Sequence, residues 1–465
     1  MSELLDLAGS VVAAGERSEG IEVYVARGHD TEIRAYGGEI ESLSSASSSG
    51  VGIRVVLSAG SGGGSGGSGG GEAAAGNRVG FAWAGSLDPA VIEGALEEAR
   101  DNARYATPDP DVVLAEPDGV APAELDLWHP GFAAASTDQK VEMALAIERR
   151  VRQADPRIRQ VDSADYGDGS VEVAIASTTG IRATTRRTSA YLSVSAIAGE
   201  GPDSQTGSGF TVGRAFGELD PDRAGADAVD RTVRMLGAGK ARSGRCTVVF
   251  DPRVVSTLLA VVSGALSGEA VVKGRSFFAD RVGETVAAPA VTLVDDPTDP
   301  RAYGAAAYDA EGLACRRNVL VEGGVLRGFV FDTVSARRAG TASTGSAVRG
   351  GFAGTPGAGC RALQLVPGHL DQAAVLAAVG DGLYVQSVTG VHSGVNVVSG
   401  DFSVGAEGLL CRGGELAEPV REVTVASTLQ RMLRSVLHVG SDVEWLPGLA
   451  AGLTLAVGDM QLGGS

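Results

Sequence analysis

A chain of 465 residues suggests about three domains and is long enough for sizeable cores. With 44% hydrophobic and 21% charged residues it has the make-up of a soluble globular protein, and no apolar run is long enough to span a bilayer. The net charge of −18 repels phosphate and argues against nucleic acid as a partner, and the acidic start Met1-Ser2-Glu3-Leu4-Leu5-Asp6 is not a secretory signal, so a cytoplasmic location is expected.

The first predicted element is a helix over 3–15, with Leu4, Leu5, Ala8, Val11 and Val12 on one face. Alternation then predicts strands at 21–25, 31–36 and 39–43, the last two joined by a Gly37-Gly38 turn, and further strands at 50–56 and 78–83. Between these last two lies 59–76, nearly all Gly, Ser and Ala, which reads as a flexible insertion in a hairpin. It holds two Gly-x-Ser-x-Gly matches, centred on Ser65 and Ser68, without the strand–helix context of a hydrolase elbow. Asp88-Pro89 opens a helix that passes Ala103, and Thr107-Pro108-Asp109-Pro110 stops it. Residues 107–123 read as a linker.

The pattern then recurs. Ser136 and Gln139 form a capping box, and a helix follows to about 154. Strands are expected at 158–166, 171–177, 181–186 and 190–198, and a helix at 220–236. The two sets place domains at 1–110 and 111–240. After Gly244 strands and glycines dominate, at 246–250, 291–294, 318–321, 325–331 and 362–366, with a tight Gly323-Gly324 turn. The one strong helix expected there starts at Asp251-Pro252, buries Val254, Leu258, Val262 and Leu266, and carries Glu269 and Lys273 to its far end. The fold class is therefore α+β. N-terminal helix and antiparallel-sheet domains precede a glycine-rich, mainly antiparallel β domain at 241–465, a curved sheet or open barrel.

Residues able to carry metal or redox chemistry are sparse. Cys246, Cys315, Cys360 and Cys411 are far apart and read as reduced, small hydrophobes. No two of His29, His129, His369, His392 and His438 lie within ten residues, which excludes a local His-x-x-x-His motif. Only three lysines stand against 36 arginines, which makes Lys273, four residues after Glu269, a pointed choice. The plain account of that spacing is an exposed ion pair worth about 0.2–0.5 kcal/mol. A metal-independent hydrolase using Ser267 or Ser276 with Lys273 as base would need a buried lysine, and neither spacing is Ser-x-x-Lys.

The stretch Gly268-Glu269-Ala270-Val271-Val272-Lys273-Gly274 resembles the His-Glu-x-x-x-His-Gly zinc site of the TldD metallopeptidases. There two imidazoles bind zinc and the glutamate is general base on the metal-bound water. Gly268 and Lys273 stand in the two histidine slots and only Glu269 is kept, so the pattern resembles the TldE/PmbA side of the family, which lacks the zinc ligands. The family's third ligand, a cysteine near the C-terminus, has no counterpart after Cys411. Further matches run in order along the chain: Gly50-Val51-Gly52-Ile53-Arg54-Val55 with Val79-Gly80-Phe81-Ala82, Tyr308-Asp309-Ala310-Glu311-Gly312, the hairpin 318–328, Ser343-Thr344-Gly345-Ser346-Ala347, and the segment 400–408.

The resemblance implies a TldE/PmbA-like subunit of a zinc metallopeptidase complex that cleaves or matures unfolded peptides. It implies no catalytic or metal-binding residue in this chain, with Glu269 and Lys273 in degenerate slots and zinc held by a TldD-like partner in a heterodimer. Substrate is expected to add as a strand to a sheet edge. His392, Ser393, Gly394, Asp401, Phe402 and Ser403 are the candidate substrate-binding residues; ordinary turns are the plain account of them. The alternative is a homodimer that binds peptides without cleaving them.

Overall fold

The computed structural model describes residues 3–58 and 76–464. All of the expected insertion at 59–76 except Gly76, with its two elbow matches, lies outside the described residues. The first 240 residues build one six-stranded sheet, ordered Arg78–Ala84, Glu39–Leu57, Glu19–Tyr36, Ile158–Ser177, Arg182–Ala198, Gln205–Gly213. Every pairing in it is antiparallel. Its middle joint, Glu22↔Ser177 to Ala35↔Ala164, places both helix–strand sets on one sheet.

The short strands expected in pairs are single long ones. The predictions at 21–25 and 31–36 fall in one strand, as do those at 39–43 and 50–56, at 158–166 and 171–177, and at 181–186 and 190–198. Ser and Gly between the apolar stretches break the alternation but not the hydrogen-bond ladder, which runs from Glu19↔Leu57 to Tyr36↔Glu39. The strand Gln205–Gly213 was not foreseen; its glycines hide the alternation.

Helices cover one face. Glu3–Ala13 and Pro89–Tyr105 bury Leu4, Leu5, Ile92 and Leu96 against Ile21, Val23 and Ile53. Thr137–Ala154 and Pro221–Val233 bury Ile147, Val151 and Ala228 against Leu192 and Val194. Their starts are fixed locally: Asp88 and Asp220 accept first-turn N–H groups, and Ser136 with Gln139 forms the full capping box.

The C-terminal half is mostly β and includes a small barrel. Glu415–Thr428, Asp401–Arg412, Gly382–Thr389, Gly244–Phe250 and Leu455–Gly463 pair in sequence, and the first and last pair again to close the ring. Gly382–Thr389 and Gly244–Phe250 run parallel, against the antiparallel rule of the rest. The helix Pro252–Ala265 packs on one barrel face, where Val255, Leu258 and Val262 share a core with Phe250, Val385, Phe402 and Val425. It is not the only helix in this half, since Thr333–Arg338, Gln372–Val379 and Leu429–Arg434 are also helical. Among the described residues no helix is long and apolar enough to cross a membrane.

Candidate functional site

Asp251 caps the helix Pro252–Ala265 by accepting the Arg253 N–H at 2.9 Å. Its other oxygen takes Arg231 at 2.7 Å and the Tyr384 hydroxyl at 2.6 Å, which fixes the helix to both the central sheet's last helix and the barrel. The chain turns at Leu266, and Ser267 caps a second, separate helix, Gly268–Val272, by accepting Ala270 N–H at 3.2 Å. Glu269 therefore rides on its own turn rather than on the end of the long helix, because the Ser267 hydroxyl offers the backbone a fresh start.

Gly268 donates its N–H to Val330 O at 2.7 Å, and the Phe331 ring lies directly over its Cα. A Cβ built on Gly268 would stand 2.1 Å from Phe331 Cδ1. Lys273 is the last residue of the turn, and its ammonium pairs with Glu269 while both side chains stay about half exposed. These residues do not fit a zinc ion. One slot has neither a donor atom nor room for one, and the other holds a cation already bonded to the retained glutamate. The two serines weighed as nucleophiles are also committed: Ser267 to its cap, and buried Ser276 to Ala265 O at 2.5 Å and Phe278 N–H at 3.0 Å.

Glu269 faces the segment 350–358, with an ideal Cβ on Gly357 coming 3.5 Å from its Oε2. The same segment reaches the sheet. Phe352 lies on Gly50 and Gly52, where a Cβ would meet the ring at 2.5 Å and the Phe352 carbonyl at 2.3 Å, and it packs at 5.9 Å from half-exposed Trp83. That contact explains the glycines of the Gly50-Val51-Gly52 motif. Just beyond it the strand Glu39–Leu57 loses its outer neighbour, because Arg78–Ala84 pairs only with 51–57. Residues 41–48 are exposed on both faces and form a free edge among the described residues. Sequence reasoning ended the strand at Leu43; the unused signal is a run of small residues, Ser44 to Ser49, with no Gly, Pro, Asn or Asp inside it.

The residues proposed to hold substrate gather at a different place. His392, Ser393 and Gly394 form a turn at Val391–Gly394 whose end pairs back on the strand Asp401–Arg412, through Val395↔Phe402 and Asn396 N–H to Asp401 O at 2.9 Å. Gly394 packs on Ser403 O, and the Asp401 carboxylate takes the Ser399 hydroxyl at 2.7 Å. Phe402 is 1% exposed and belongs to the barrel core, so its side chain offers nothing to a ligand. No hydrogen bond or ion pair joins this cluster to Glu269 or Lys273 among the described residues.

Sequence reasoning also missed a buried ionic network where the sheet meets the C-terminal half. Arg54 Nε bonds Glu22 at 3.0 Å and Arg54 Nη2 reaches Glu311 at 3.3 Å, while Arg349 bonds Glu22 at 2.6 Å. Burial raises Glu22, but Arg54 and Arg349 outweigh it and hold the carboxylate below its usual range. Burial pushes Glu311 up to about 7 despite Arg54. Asp309 orders this turn by accepting the N–H groups of Glu311 and Leu313 at 2.9 and 3.0 Å, which accounts for the Asp-x-Glu-Gly motif. The available signal was Arg54 itself, a charge set among Ile53, Val55 and Val56 in a buried strand.

Comparison with known proteins agrees with this architecture. The PmbA/TldA metallopeptidase domain 1, central domain and C-terminal domain families match residues 21–103, 130–236 and 243–464. The metalloprotease PmbA of Escherichia coli O157:H7 is 28% identical over 95% of this chain and 92% of its own length. A TldD homologue of Haemophilus influenzae is 27% identical over 80% of this chain and 79% of its own. TldE from Thermococcus kodakarensis has the same fold, with a TM-score of 0.84 at 23% identity over 99% of both chains. The chain belongs to the PmbA/TldD family of metallopeptidases, and its similarity to PmbA and TldE makes it a PmbA/TldE-like member.

Proposed function

We propose that this chain is the non-catalytic subunit of a cytoplasmic two-subunit peptidase, holding unfolded peptide while a TldD-like partner supplies zinc, general base and attacking water. The observation that carries this reading is the turn at 268–273, where Phe331 occupies the space of a first ligand and Lys273 binds the glutamate that would serve as base. Without a metal to lower its pKa, a water beside Glu269 is a poor nucleophile. The free edge at 41–48 is the better candidate for strand addition, since backbone pairing there reads little sequence, and the 390–403 turn is kept as a secondary contact.

The test is peptide cleavage by the complex reconstituted with a TldD-like subunit. Glu269→Gln in this chain should leave the rate within a few-fold, whereas the matching change in the partner should abolish it. Loss of cleavage by Glu269→Gln in a complex that still assembles would make this subunit catalytic. A chain that forms only homodimers and binds peptide without cleaving it would replace the reading with a sequestering role.

A further inference from the structure

Between the sheet and the C-terminal half lies a cavity of about 360 Å³. The strand Arg182–Ala198 contributes Arg187 to its wall, the C-terminal half contributes Arg349 and Arg361, and Tyr24 and Tyr308 add aromatic surface. The Arg187 and Arg361 guanidinium groups make no hydrogen bond or ion pair with any described residue, and Arg361 Nε is buried without a partner. This occurs in a chain with 57 acidic against 39 basic residues, where carboxylates are plentiful.

Among the described residues, none of the nearby carboxylates bonds either guanidinium. Asp309 also lines the cavity, but its oxygens accept the N–H groups of Glu311, Leu313 and Ala347. Asp295, which the Arg361 charge stabilises, spends one oxygen on the Arg361 and Ala362 N–H groups, and its other oxygen is buried without a hydrogen bond to the guanidinium. Asp30 lines the cavity from an exposed position. Arg349 is already paired with Glu22 and stacked 4.5 Å from the Tyr24 ring, which leaves its Nε and Nη1 without partners. Arg187 continues into a neighbouring cavity of about 180 Å³ that Arg214 also lines.

We propose that this cavity binds an oxyanion, a phosphate or the carboxylate end of a peptide, bridged by the guanidinium groups of Arg187 and Arg361. Arginine presents a planar fork of donors that fits such oxygens two at a time, and a cavity of this size suits a small ligand. Two like charges left facing one cavity repel each other until an anion enters. Consistent with that, burial and then the Arg361 charge hold Arg187 below the ordinary arginine value. No residue of the turn at 268–273 lines the cavity, and the proposal does not rest on the peptidase reading.

The experiment uses the isolated full chain and follows its melting temperature at constant ionic strength with chloride as the background. One arm titrates inorganic phosphate. The other titrates an N-acetylated dipeptide with a free carboxylate, against the same dipeptide as the amide. At least one oxyanion should give a saturable rise in Tm that chloride and the amide do not, and which arm responds identifies the source. The midpoint should move at least tenfold higher in Arg187→Gln and in Arg361→Gln, and the rise should vanish in the double variant. Arg187→Lys, which keeps the charge but loses the fork, should fall between. No rise with either oxyanion, or a rise unchanged in the double variant, overturns the proposal.

Discussion

At the scale of single residues, Gly268 shows how packing closes a position that the resemblance aligns with a zinc-ligand slot. A glycine leaves room that a side chain would take, and here Phe331 fills it with a ring over the Cα. Two effects then compete when a Cβ is added. Alanine is the better helix former by about 1 kcal/mol, but overpacking a closed site costs about 1–3 kcal/mol. With 2.1 Å between that Cβ and Phe331 Cδ1, the second should win. Gly268→Ala is expected to lower stability in urea unfolding, and Phe331→Leu in the same chain to recover part of the loss through a positive coupling. A more stable Gly268→Ala would show that the ring yields easily. The sequence displayed Gly268 and Lys273 in the slots the resemblance gives to histidines. It could not display Phe331, which lies 63 residues further on and meets Gly268 only in the fold.

At the scale of elements, the same divide separates what was legible from what was not. Helix starts at Asp88, Ser136, Asp220 and Asp251 are set by side chains bonding N–H groups two or three residues away, so local sequence contains them. The barrel is different. Its parallel joint pairs Leu383 with Val248, and glycines such as Gly405 and Gly408 sit where Thr389 and the Tyr384 backbone approach too closely for a side chain. Those glycines erase the period-two signal, which is why 400–408 reads as a motif and the strand 401–412 does not show in the sequence. The free edge at 41–48 follows the same logic, since among the described residues it stays exposed on both faces and no core imposes alternation. Neighbouring residues on an edge strand point their N–H groups in opposite directions, one to the partner strand and one outward. Of Ser44→Pro and Ser45→Pro, one should therefore keep the parent melting temperature while weakening peptide binding, and the other should destabilise the hairpin. Equal binding by the tolerated variant, measured by fluorescence anisotropy of a labelled unfolded peptide, would move the substrate site elsewhere.

At the scale of the whole molecule, the sheet and the C-terminal half are joined by buried charge as much as by apolar contact. Arg54, Glu22, Arg349 and Glu311 are all nearly excluded from water, and a second junction sets Arg231 on Asp251. Removing one partner from such a network strands its neighbour, so it makes the junction specific rather than simply strong. It also makes the junction sensitive to pH. Glu311 is raised from 4.5 to about 7 and Asp295 from 3.8 to about 6, chiefly by burial in both cases. A carboxyl whose folded pKa is raised binds its proton more tightly when folded. Its contribution is complete below the unfolded value and is lost as pH rises through the folded one. Glu22 is lowered, so it acts in the opposite sense, and its contribution is lost only as pH falls below about 4.5. Stability should therefore decline between about pH 5 and 7.5. Glu311→Gln keeps an acceptor for the Thr333 N–H, now 2.9 Å from Glu311, but removes the titration. Its unfolding free energy should gain on the parent's by at least about 1 kcal/mol between pH 5 and pH 8, since each pH unit of separated pKa is worth about 1.4 kcal/mol. Urea unfolding of both proteins across that range decides it: parallel curves would mean that Glu311 is ionised throughout and that Arg54 holds it as a permanent ion pair.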